Sequence, residues 1–451
     1  TAAALLRQDG HRVTLRDYPA SGRDSAALVE DLRQLRPAFA IWSTGTPTLR
    51  HDLDLARLVR DHAPEAVTAV IGTHVTVRPE EALAAQALDV VVRGEPEGII
   101  RDLCRSGGVL SEVAGISWRG SRDGGIGHNP DAEPLAAEAI PAPDWDGLDL
   151  DGYRLPLKGR RFLMVAPVRG CPWRCNFCTA PLYYGSRLRR RPVAAVVGEM
   201  AGNAERYGIR EFFIWADTFT ADRGYVRELC RAIVESGLKI SWTCNSRVDT
   251  IDEETLRLMK EAGLWMISFG LESGSDAILA ASGKGITAAQ SREAVALAHR
   301  LGIRVAGHFM FGLPGETRDT MAETLALALE LPIDIAQFYA AAPFPGTALY
   351  DEALAKGWLR EGFEGKGEPA SSRGTAAPGA AGSGAAPAAS QSSAVMELPG
   401  LPSAEVDAFR RHAFRRFYLR PQAAARVLSM AEISAVAGIM PPLRRFLRWL
   451  G

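Results

Sequence analysis

The strongest constraint on the fold of this chain is the alternation of short apolar strands with amphipathic helices over residues 161–345. Six segments have the length and aromatic or β-branched content of buried strands, and helical stretches separate them. These segments are RFLMVAPV, EFFIWAD, ISWTCNS, WMISFGLES, RVAGHFMFG and DIAQFYAAAP. The pattern predicts a partial (βα)6 barrel of the TIM type, whose functional face lies at the carboxyl ends of the strands.

Residues 1–105 form a second block with the same alternation. The strand-like segments HRVTLRDY, FAIWST, TAVIGTHV and DVVVRG are interleaved with the helical segments AALVEDLRQL, LDLARLVRD and PEEALAAQA. This order predicts a doubly wound, Rossmann-like α/β domain with a parallel sheet. Such a fold has a strand before its first helix, so we expect the native N-terminus, and the first strand with it, to be missing.

Three further regions differ in composition. Residues 106–160 contain the hairpin-like GISWRGSRDGGIGHNP and a Pro- and Asp-rich stretch, which predict a connector before a barrel domain at 161–350. Residues 351–400 include a Gly/Ala/Ser/Pro-rich run that buries too little apolar surface to order itself, so we predict a flexible segment. Residues 401–451 predict a basic helical region that packs over the barrel, with peripheral membrane contact as the alternative.

The total charge and the cysteine count narrow the class of protein. Lys and Arg number 52 against 53 Asp and Glu, so no overall field favours nucleic acid as a partner. We expect neither a signal peptide nor a transmembrane segment, since the residues show no apolar signal-peptide core and no uninterrupted run of about 18 apolar residues. Of six cysteines, three are clustered rather than scattered in pairs. Three cysteines clustered in this way predict a metal site, and the lack of scattered pairs predicts a reducing compartment, the cytoplasm.

The clustered cysteines follow the first barrel strand in the sequence RGCPWRCNFCTAP. Cys171, Cys175 and Cys178 are spaced C-x3-C-x2-C. Structural zinc usually takes four ligands, a disulfide would leave one thiol unpaired, and the two-cluster ferredoxin pattern needs four cysteines. A [4Fe–4S] cluster held by three thiolates would leave one iron open to a small molecule. Zinc in a metal-stabilised binding module without catalysis is the alternative of another class.

This motif, in a six-unit barrel, resembles the radical S-adenosylmethionine (SAM) superfamily. In that family the open iron binds SAM, and an electron from the cluster cleaves SAM to a 5′-deoxyadenosyl radical that takes a substrate hydrogen. The resemblance implies an electron donor such as flavodoxin or ferredoxin. It also implies SAM contacts by residues at the strand ends, namely Phe177, Asp217, Asn245, Arg247, Glu272, Ser273, Gly312 and Glu316.

The N-terminal block resembles the cobalamin-binding domains that precede a subset of radical SAM enzymes. Those domains carry Ser-x-Leu after one strand and Gly-Gly after a later strand. Here Ser43-Thr-Gly45 and Gly72-Thr73 stand at a similar separation, with Gly45 and Thr73 departing from the usual Leu and Gly. The resemblance implies cobalamin contacts by Ser43, Gly45, Gly72, Thr73, Gly94 and Glu95.

The resemblance therefore implies a cobalamin-dependent radical SAM enzyme with a small-molecule substrate. Methyl transfer from methylcobalamin to a substrate carbon is the leading hypothesis. The alternative within the family is an oxidative cyclase, as in the anaerobic magnesium-protoporphyrin monomethyl ester cyclase group, acting on a tetrapyrrole-like or other large molecule. His74 is a candidate lower ligand of cobalt, and a histidine satisfied by protein partners is the competing interpretation.

Overall fold

The computed structural model describes residues 1–120, 125–155, 158–360, 363, 391–430 and 432. Most of the low-complexity run and the basic stretch PPLRRFLRWL lie outside these residues. The elements of the N-terminal part are α1 Ala2–Gln8, α2 Ser25–Leu35, β1 Phe39–Ser43, α3 Leu49–His62, β2 Val67–Ile71, α4 Thr73–Val77, α5 Pro79–Leu83, β3 Val90–Val92, α6 Pro96–Arg105, β4 Ile116–Arg119 and β5 Ile126–His128.

The N-terminal sheet confirms the predicted doubly wound class. Its strand order is β1-β2-β3-β4-β5, in which β1 to β3 are parallel and the last two strands pair antiparallel. Alternate residues of β3 face opposite layers: Val90 and Val92 pack with α1 and α6, whereas Val91 packs with α3 and α5. Helices therefore cover both faces of the parallel part of the sheet, as its continuous apolar strands require.

Two predictions for this region need correction. HRVTLRDY was expected to be a strand, but residues 11–17 form no strand, because no neighbouring strand among the described residues pairs with their backbone groups. The hairpin of GISWRGSRDGGIGHNP does form, as β4 and β5, but β4 pairs with β3. The hairpin therefore extends the N-terminal sheet, although it was assigned to the connector after residue 105.

The second half of the chain contains the barrel and the helices that cover it. Its elements are β6 Phe162–Val165, β7 Val168–Arg169, α7 Ala180–Tyr184, β8 Arg189–Arg190, α8 Val193–Tyr207, β9 Glu211–Ile214, α9 Arg223–Glu235, β10 Ser241–Ser246, α10 Glu253–Glu261, β11 Leu264–Glu272, α11 Asp276–Ala281, α12 Ala288–Arg300, β12 Arg304–Phe311, α13 Arg318–Glu330, β13 Ile335–Ala340, α14 Ala348–Ala355, α15 Ser403–Tyr418 and α16 Pro421–Met430.

The six-stranded sheet confirms the predicted partial barrel. Its strands are all parallel in the order β13-β12-β11-β10-β9-β6, so each strand lies beside its neighbour in sequence. The core between the sheet and the helices includes Phe212, Trp242 and Phe269, which are fully buried. Parallel strands joined by helices place all six carboxyl ends on one face. The cysteine loop follows the first strand on that face.

The C-terminal part of the chain packs on the last barrel strand. The hydroxyl of Tyr418 in α15 donates to the carbonyl of Ala336 in β13 (2.8 Å). Val395 and Met396 are buried, and Leu359 pairs with Met396. These described ends of the segment 351–400 are therefore packed, in contrast to the predicted flexibility, because they contribute apolar side chains to the core. Within the described residues, no helix combines the length and apolar content that crossing a membrane requires.

Candidate cofactor sites

The three cysteines lie in a loop that backbone hydrogen bonds anchor to the barrel. Cys171 N donates to Gly185 O (3.1 Å), which closes the start of the loop. Further along, Asn176 N donates to Ser282 O (2.9 Å), and Asn176 O accepts from Leu349 N (2.9 Å). The loop conformation is therefore set by three distant parts of the chain.

Burial raises the pKa of two of these thiols, and nearby cations oppose this rise at one of them. Desolvation raises the pKa of Cys178 to about 11, and it also raises the pKa of Cys175. Lys284 and Arg247 oppose the rise at Cys175, and Arg247 Nη1 lies 3.9 Å from its sulfur. Cys171 is buried, and all three thiols are free. Thiols desolvated in this way fit a metal cluster, because bound iron supplies the positive charge that stabilises thiolates.

The arrangement of the three thiols distinguishes a single metal ion from an iron–sulfur cluster. Among the residues that the structure describes, no three His, Cys, Asp or Glu side chains form a group that could hold a metal ion. A [4Fe–4S] cluster does not require the three sulfurs to converge on one metal ion, because each thiolate binds a different iron of the cluster. Three cysteine thiols on one loop are therefore suitable ligands for a [4Fe–4S] cluster.

Arg247 links the cysteine loop to the end of β10. Its guanidinium lies 4.4 Å from the ring centre of Trp173, between the first two cysteines. The same group donates to both carboxylate oxygens of Asp249 (2.9 and 2.8 Å) and to Lys284 O (2.7 Å). A planar, multiply bonded guanidinium holds its neighbours in one geometry. The structure thus places Arg247 against the cluster loop, and it adds Trp173, which the sequence analysis missed.

Glu272 ends β11 in an unusual backbone conformation. Its φ of 60° is in the left-handed region, at a register shift between β11 and β12. Its carboxylate forms a buried ion pair with Lys284 (2.8 Å), and both side chains are less than 10% exposed. Lys284 was not predicted as a site residue. Its only local signal is its position between two glycines in SGKGIT.

Asp217 presents an unused acceptor at the carboxyl end of β9. It accepts a backbone hydrogen bond from Gly170, and burial raises its pKa. Its Oδ2 is buried and has no hydrogen-bond partner among the described residues. Asn245, at the end of β10, is half-buried. An orphaned carboxylate oxygen beside the cysteine loop fits a ligand that donates hydrogen bonds, because leaving it unpaired is costly.

Other residues predicted to contact SAM are engaged by the protein. Ser273 Oγ lies 3.1 Å from Thr324 Oγ1 and accepts from Ser275 N (3.2 Å). Glu316 accepts from the backbone N–H groups of Gly312 and Leu313, and it closes the turn after β12. Phe177 is half-buried and packs on the barrel core. These contacts hold loops at the barrel rim, and direct SAM contact by these residues stays a prediction.

The ends of β1 and β2 meet at one edge of the N-terminal sheet. Thr44 N donates to Ile71 O (2.8 Å), so Ser43 and Gly72 are neighbours across the two strands. Gly72 has φ of 148°, and a Cβ there would collide with the carbonyl oxygen of Thr44. Thr44 Oγ1 is buried and finds no hydrogen-bond partner in the part of the chain that the structure describes. An orphaned hydroxyl at a strand end lined by small residues fits a bound ligand.

Of the remaining residues predicted to contact cobalamin, Thr73 and Gly94 stay near this edge, whereas the Glu95 side chain does not. Thr73 begins α4, and Gly94 N donates to Thr76 Oγ1 (2.9 Å), which ties β3 to that helix. Glu95 points elsewhere: its side chain is 3% exposed and pairs with Arg169 and Arg189 of the barrel. Because both its carboxylate oxygens are occupied by arginines, Glu95 joins the two sheets of the protein rather than lining the strand-end edge.

His74 is fully engaged by protein groups. Its Nδ1 lies 3.1 Å from Thr46 Oγ1, and its Nε2 lies 3.3 Å from Glu81 Oε2. Its side chain is 1% exposed. The structure therefore favours the interpretation of His74 as a satisfied histidine, because neither ring nitrogen is available to a metal.

Comparisons with known proteins agree with this arrangement. Residues 165–328 match the radical SAM superfamily, and residues 1–103 match the B12 binding domain. An uncharacterized methyltransferase of Pyrococcus horikoshii is 31% identical over 423 residues, which are 93% of this chain and 87% of the relative. The cytidylyl-2-hydroxyethylphosphonate methyltransferase of Streptomyces wedmorensis is 30% identical, over 79% of this chain and 77% of the relative.

A solved structure shows the same fold. The radical S-adenosylmethionine methyltransferase TsrM from Kitasatospora setae, solved with cobalamin and a [4Fe–4S] cluster bound, superposes with a TM-score of 0.69 at 19% identity. The match covers 79% of this chain and 74% of that one. The chain therefore belongs to the radical SAM superfamily, among the enzymes that carry an N-terminal B12-binding domain, and its cofactors are a [4Fe–4S] cluster, SAM and cobalamin.

Proposed function

We propose that the protein is a cobalamin-dependent radical SAM methyltransferase that places a methyl group on a carbon of a small molecule. The observation that carries this proposal is the three-cysteine loop at the open face of the barrel, in one chain with a B12-binding domain. When bound, the cluster and one SAM would supply a 5′-deoxyadenosyl radical that removes a substrate hydrogen, and cobalamin would supply a methyl group that it receives from a second SAM. The relatives from Pyrococcus horikoshii and Streptomyces wedmorensis are both named as methyltransferases, which supports methyl transfer.

The residues of the barrel rim receive specific roles in this proposal. Cys171, Cys175 and Cys178 hold the cluster. The unpaired Oδ2 of Asp217 accepts a hydrogen bond from the amino group of SAM. Glu272, held by Lys284, accepts from ribose hydroxyls.

Other contacts around the barrel rim hold the site in one conformation and take no direct part in the reaction. The Arg247–Trp173 stack and the bidentate pair with Asp249 hold the cysteine loop in one conformation. Phe177 and the Gly312–Glu316 turn form the adenine side, and Asn245 and Ser273 complete the rim. A site preorganised in this way needs little rearrangement when its ligands bind.

The N-terminal edge is proposed to bind cobalamin through backbone and hydroxyl groups. Ser43, Gly45 and Gly72 leave room at the strand ends, and the orphaned hydroxyl of Thr44 is available as a donor. Thr73 and the turn at Gly94 border the same edge. Because both nitrogens of His74 have protein partners, this proposal assigns no histidine to cobalt.

The proposal also covers the partners of the protein. An electron donor such as flavodoxin or ferredoxin would reduce the cluster, since reductive cleavage of SAM consumes one electron. The six cysteines are all free thiols, which supports a reducing compartment, the cytoplasm.

The first test separates the cluster thiols from core thiols. Cys175→Ala should abolish iron and sulfide binding after anaerobic reconstitution, and with it the formation of 5′-deoxyadenosine from SAM under dithionite. Cys230→Ala is the matched control, because Cys230 is fully buried in α9, away from the cysteine loop, and should keep both properties. Equal loss of iron in the two variants would show that the cluster is held by other sulfurs.

A second measurement distinguishes methylation from the cyclase alternative. Mass spectrometry of the product formed with methyl-labelled SAM should show the substrate mass increased by one labelled CH2 unit. Ring formation would change only the hydrogen or oxygen content and would leave the product unlabelled. An unlabelled product would therefore refute methyl transfer while leaving the radical SAM assignment in place.

A further inference from the structure

Two ring side chains inside the barrel form a pair that the cofactor sites do not use. His308 lies on β12, and Tyr339 lies on the adjacent strand β13. Their rings are stacked, with centroids 5.8 Å apart and planes inclined by 15°. His308 Nδ1 lies 3.2 Å from the Tyr339 hydroxyl. The two side chains are therefore held as one hydrogen-bonded unit.

Both rings face the interior of the barrel. Their chain neighbours Phe309 and Phe338 are buried in the core between the sheet and its helices. Successive residues of a strand point to opposite faces of the sheet. His308 and Tyr339 therefore lie on the other face, which is the interior face of the barrel.

The pair keeps hydrogen-bonding capacity for a ligand. Within the described residues, His308 Nε2 has no hydrogen-bond partner, and it is not one of the fully buried polar atoms, so it opens onto the interior. Burial lowers the pKa of His308, which keeps the ring neutral. Either tautomer then leaves one free donor or acceptor at Nε2, in addition to the Tyr339 oxygen.

The two charged side chains next to the pair are bound to each other. The electrostatic field at His308 comes from Glu272 and Lys284, which act on its ring in opposite directions. These two side chains form a buried ion pair 2.8 Å long. The charged groups beside the two rings are therefore already paired with each other.

The opposite end of the sheet presents an apolar wall. Met164 on β6 and Trp215 after β9 are each 44% exposed. Their neighbours Val165 and Ile214 are buried in the core, so by the same alternation both exposed side chains face the interior. Large apolar side chains exposed inside a cavity are typical of ligand pockets.

We propose that His308 and Tyr339 bind a neutral hydrogen-bonding group, a hydroxyl or an amide, of a substrate whose apolar part lies against Met164 and Trp215. This inference rests on the proposed function, because it takes the barrel interior as the substrate pocket. A carboxylate or an ammonium group at the two rings would lose its hydration beside Glu272 and Lys284, which already satisfy each other. The substrate class is therefore a small, largely apolar and uncharged molecule with one polar end.

The test uses the reconstituted protein with its three cofactors and a set of naphthalene probes. Equilibrium dialysis should show 2-naphthol binding about two- to tenfold tighter than naphthalene, the range expected for one net hydrogen bond. 2-Naphthoate should bind more weakly than 2-naphthol. His308→Phe and Tyr339→Phe should each abolish the preference for the hydroxyl, while naphthalene binding and iron content stay unchanged.

Tyr207→Phe is the matched control and should keep the wild-type preference. Its hydroxyl bonds to Asp146 (2.8 Å), away from the barrel interior. A hydroxyl preference that survives in the His308→Phe/Tyr339→Phe double variant overturns the proposal. So does tightest binding of 2-naphthoate, or failure of the wild-type protein to bind 2-naphthol. 5′-Deoxyadenosine formation in the same preparations tests the proposed function separately, because probe binding does not require turnover.

Discussion

At the scale of single residues, Glu316 shows how a carboxyl group can stabilise a loop while it is protonated. Its side chain accepts two backbone hydrogen bonds in the turn after β12, yet its buried Oε1 has no partner among the residues that the structure describes. Burial raises its pKa from 4.5 to about 8, against the opposing effect of the two backbone donors. The carboxyl group is therefore protonated in the folded protein near neutral pH, whereas it ionises in the unfolded chain.

This difference predicts that Glu316→Gln changes the stability of the protein by an amount that depends on pH. The folded state holds a proton that the unfolded chain releases above pH 4.5, so Glu316 lowers stability progressively as the pH rises from 4.5 to about 8. Thermal melting of the variant and the wild type should coincide near pH 4, below the unfolded pKa of 4.5, and the variant should melt several degrees higher above pH 8. Glutamine is neutral and nearly isosteric with the protonated acid.

Glu330→Gln is the control for this prediction. Glu330 is exposed and pairs with Arg292, which lowers its pKa. Its replacement should therefore reduce stability slightly above pH 4.5, the opposite sign. A Glu316→Gln difference that does not change with pH would show that Glu316 is ionised in the folded protein.

At the scale of elements, local sequence patterns predicted the strands and helices far better than the contacts between them. The six barrel strands, their order and the loop after the first strand followed from periodicity and from the spacing of the cysteines. Glu95 was predicted to contact cobalamin from the resemblance of the N-terminal block to cobalamin-binding domains. Its actual partner, Arg169, is 74 positions away in sequence, and no local pattern encodes such a pairing.

The segment HRVTLRDY shows the same limit. Its alternation of apolar and polar residues satisfies a strand pattern, but a strand also needs a paired neighbour, and residues 11–17 have none among the described residues. Lys284 was missed for a related reason. Its role depends on the ion pair with Glu272, which forms only when the chain after α11 returns to the end of β11.

Gly72→Ala tests whether the edge formed by β1 and β2 binds cobalamin. A Cβ at this position would collide with the carbonyl of Thr44, and the φ of 148° is unfavourable for alanine. The strand ends should separate, so titration with hydroxocobalamin followed by absorbance should show affinity reduced by about tenfold or more, the cost of roughly 1.4 kcal/mol or above. Iron binding at the barrel should persist.

Gly198→Ala is the matched control for this substitution. Gly198 lies within α8, and a Cβ there would meet nothing within 4 Å. Alanine is the better helix former by about 1 kcal/mol, so this variant should be as stable as the wild type or more stable, with unchanged cobalamin affinity. Unchanged affinity in Gly72→Ala as well would place the cobalamin site elsewhere.

At the scale of the whole molecule, a buried ion network joins the two α/β units. Arg169 pairs with Glu95 and with Glu97 (2.7 Å), and Arg189 also pairs with Glu95. All four side chains are 15% exposed or less. Arg169 stands two positions before Cys171, so the network connects the B12-binding domain directly to the start of the cluster loop. Methyl transfer between two cofactors on different domains requires their relative position to be fixed, and this network is suited to fix it.

Arg169→Ala should therefore destabilise the contact between the two domains and, at the same time, the conformation of the cysteine loop that holds the cluster. Removing one member of a buried charge network leaves the partners unpaired and costs about 3–5 kcal/mol. Calorimetry should show a lower and broader unfolding transition, and the reconstituted variant should lose iron faster to a chelator. Arg292→Ala, which breaks an exposed pair with Glu330, should change stability by less than about 1 kcal/mol. If Arg169→Ala retained iron as well as Arg292→Ala while melting at a lower temperature, the network would stabilise the interface without positioning the cysteines.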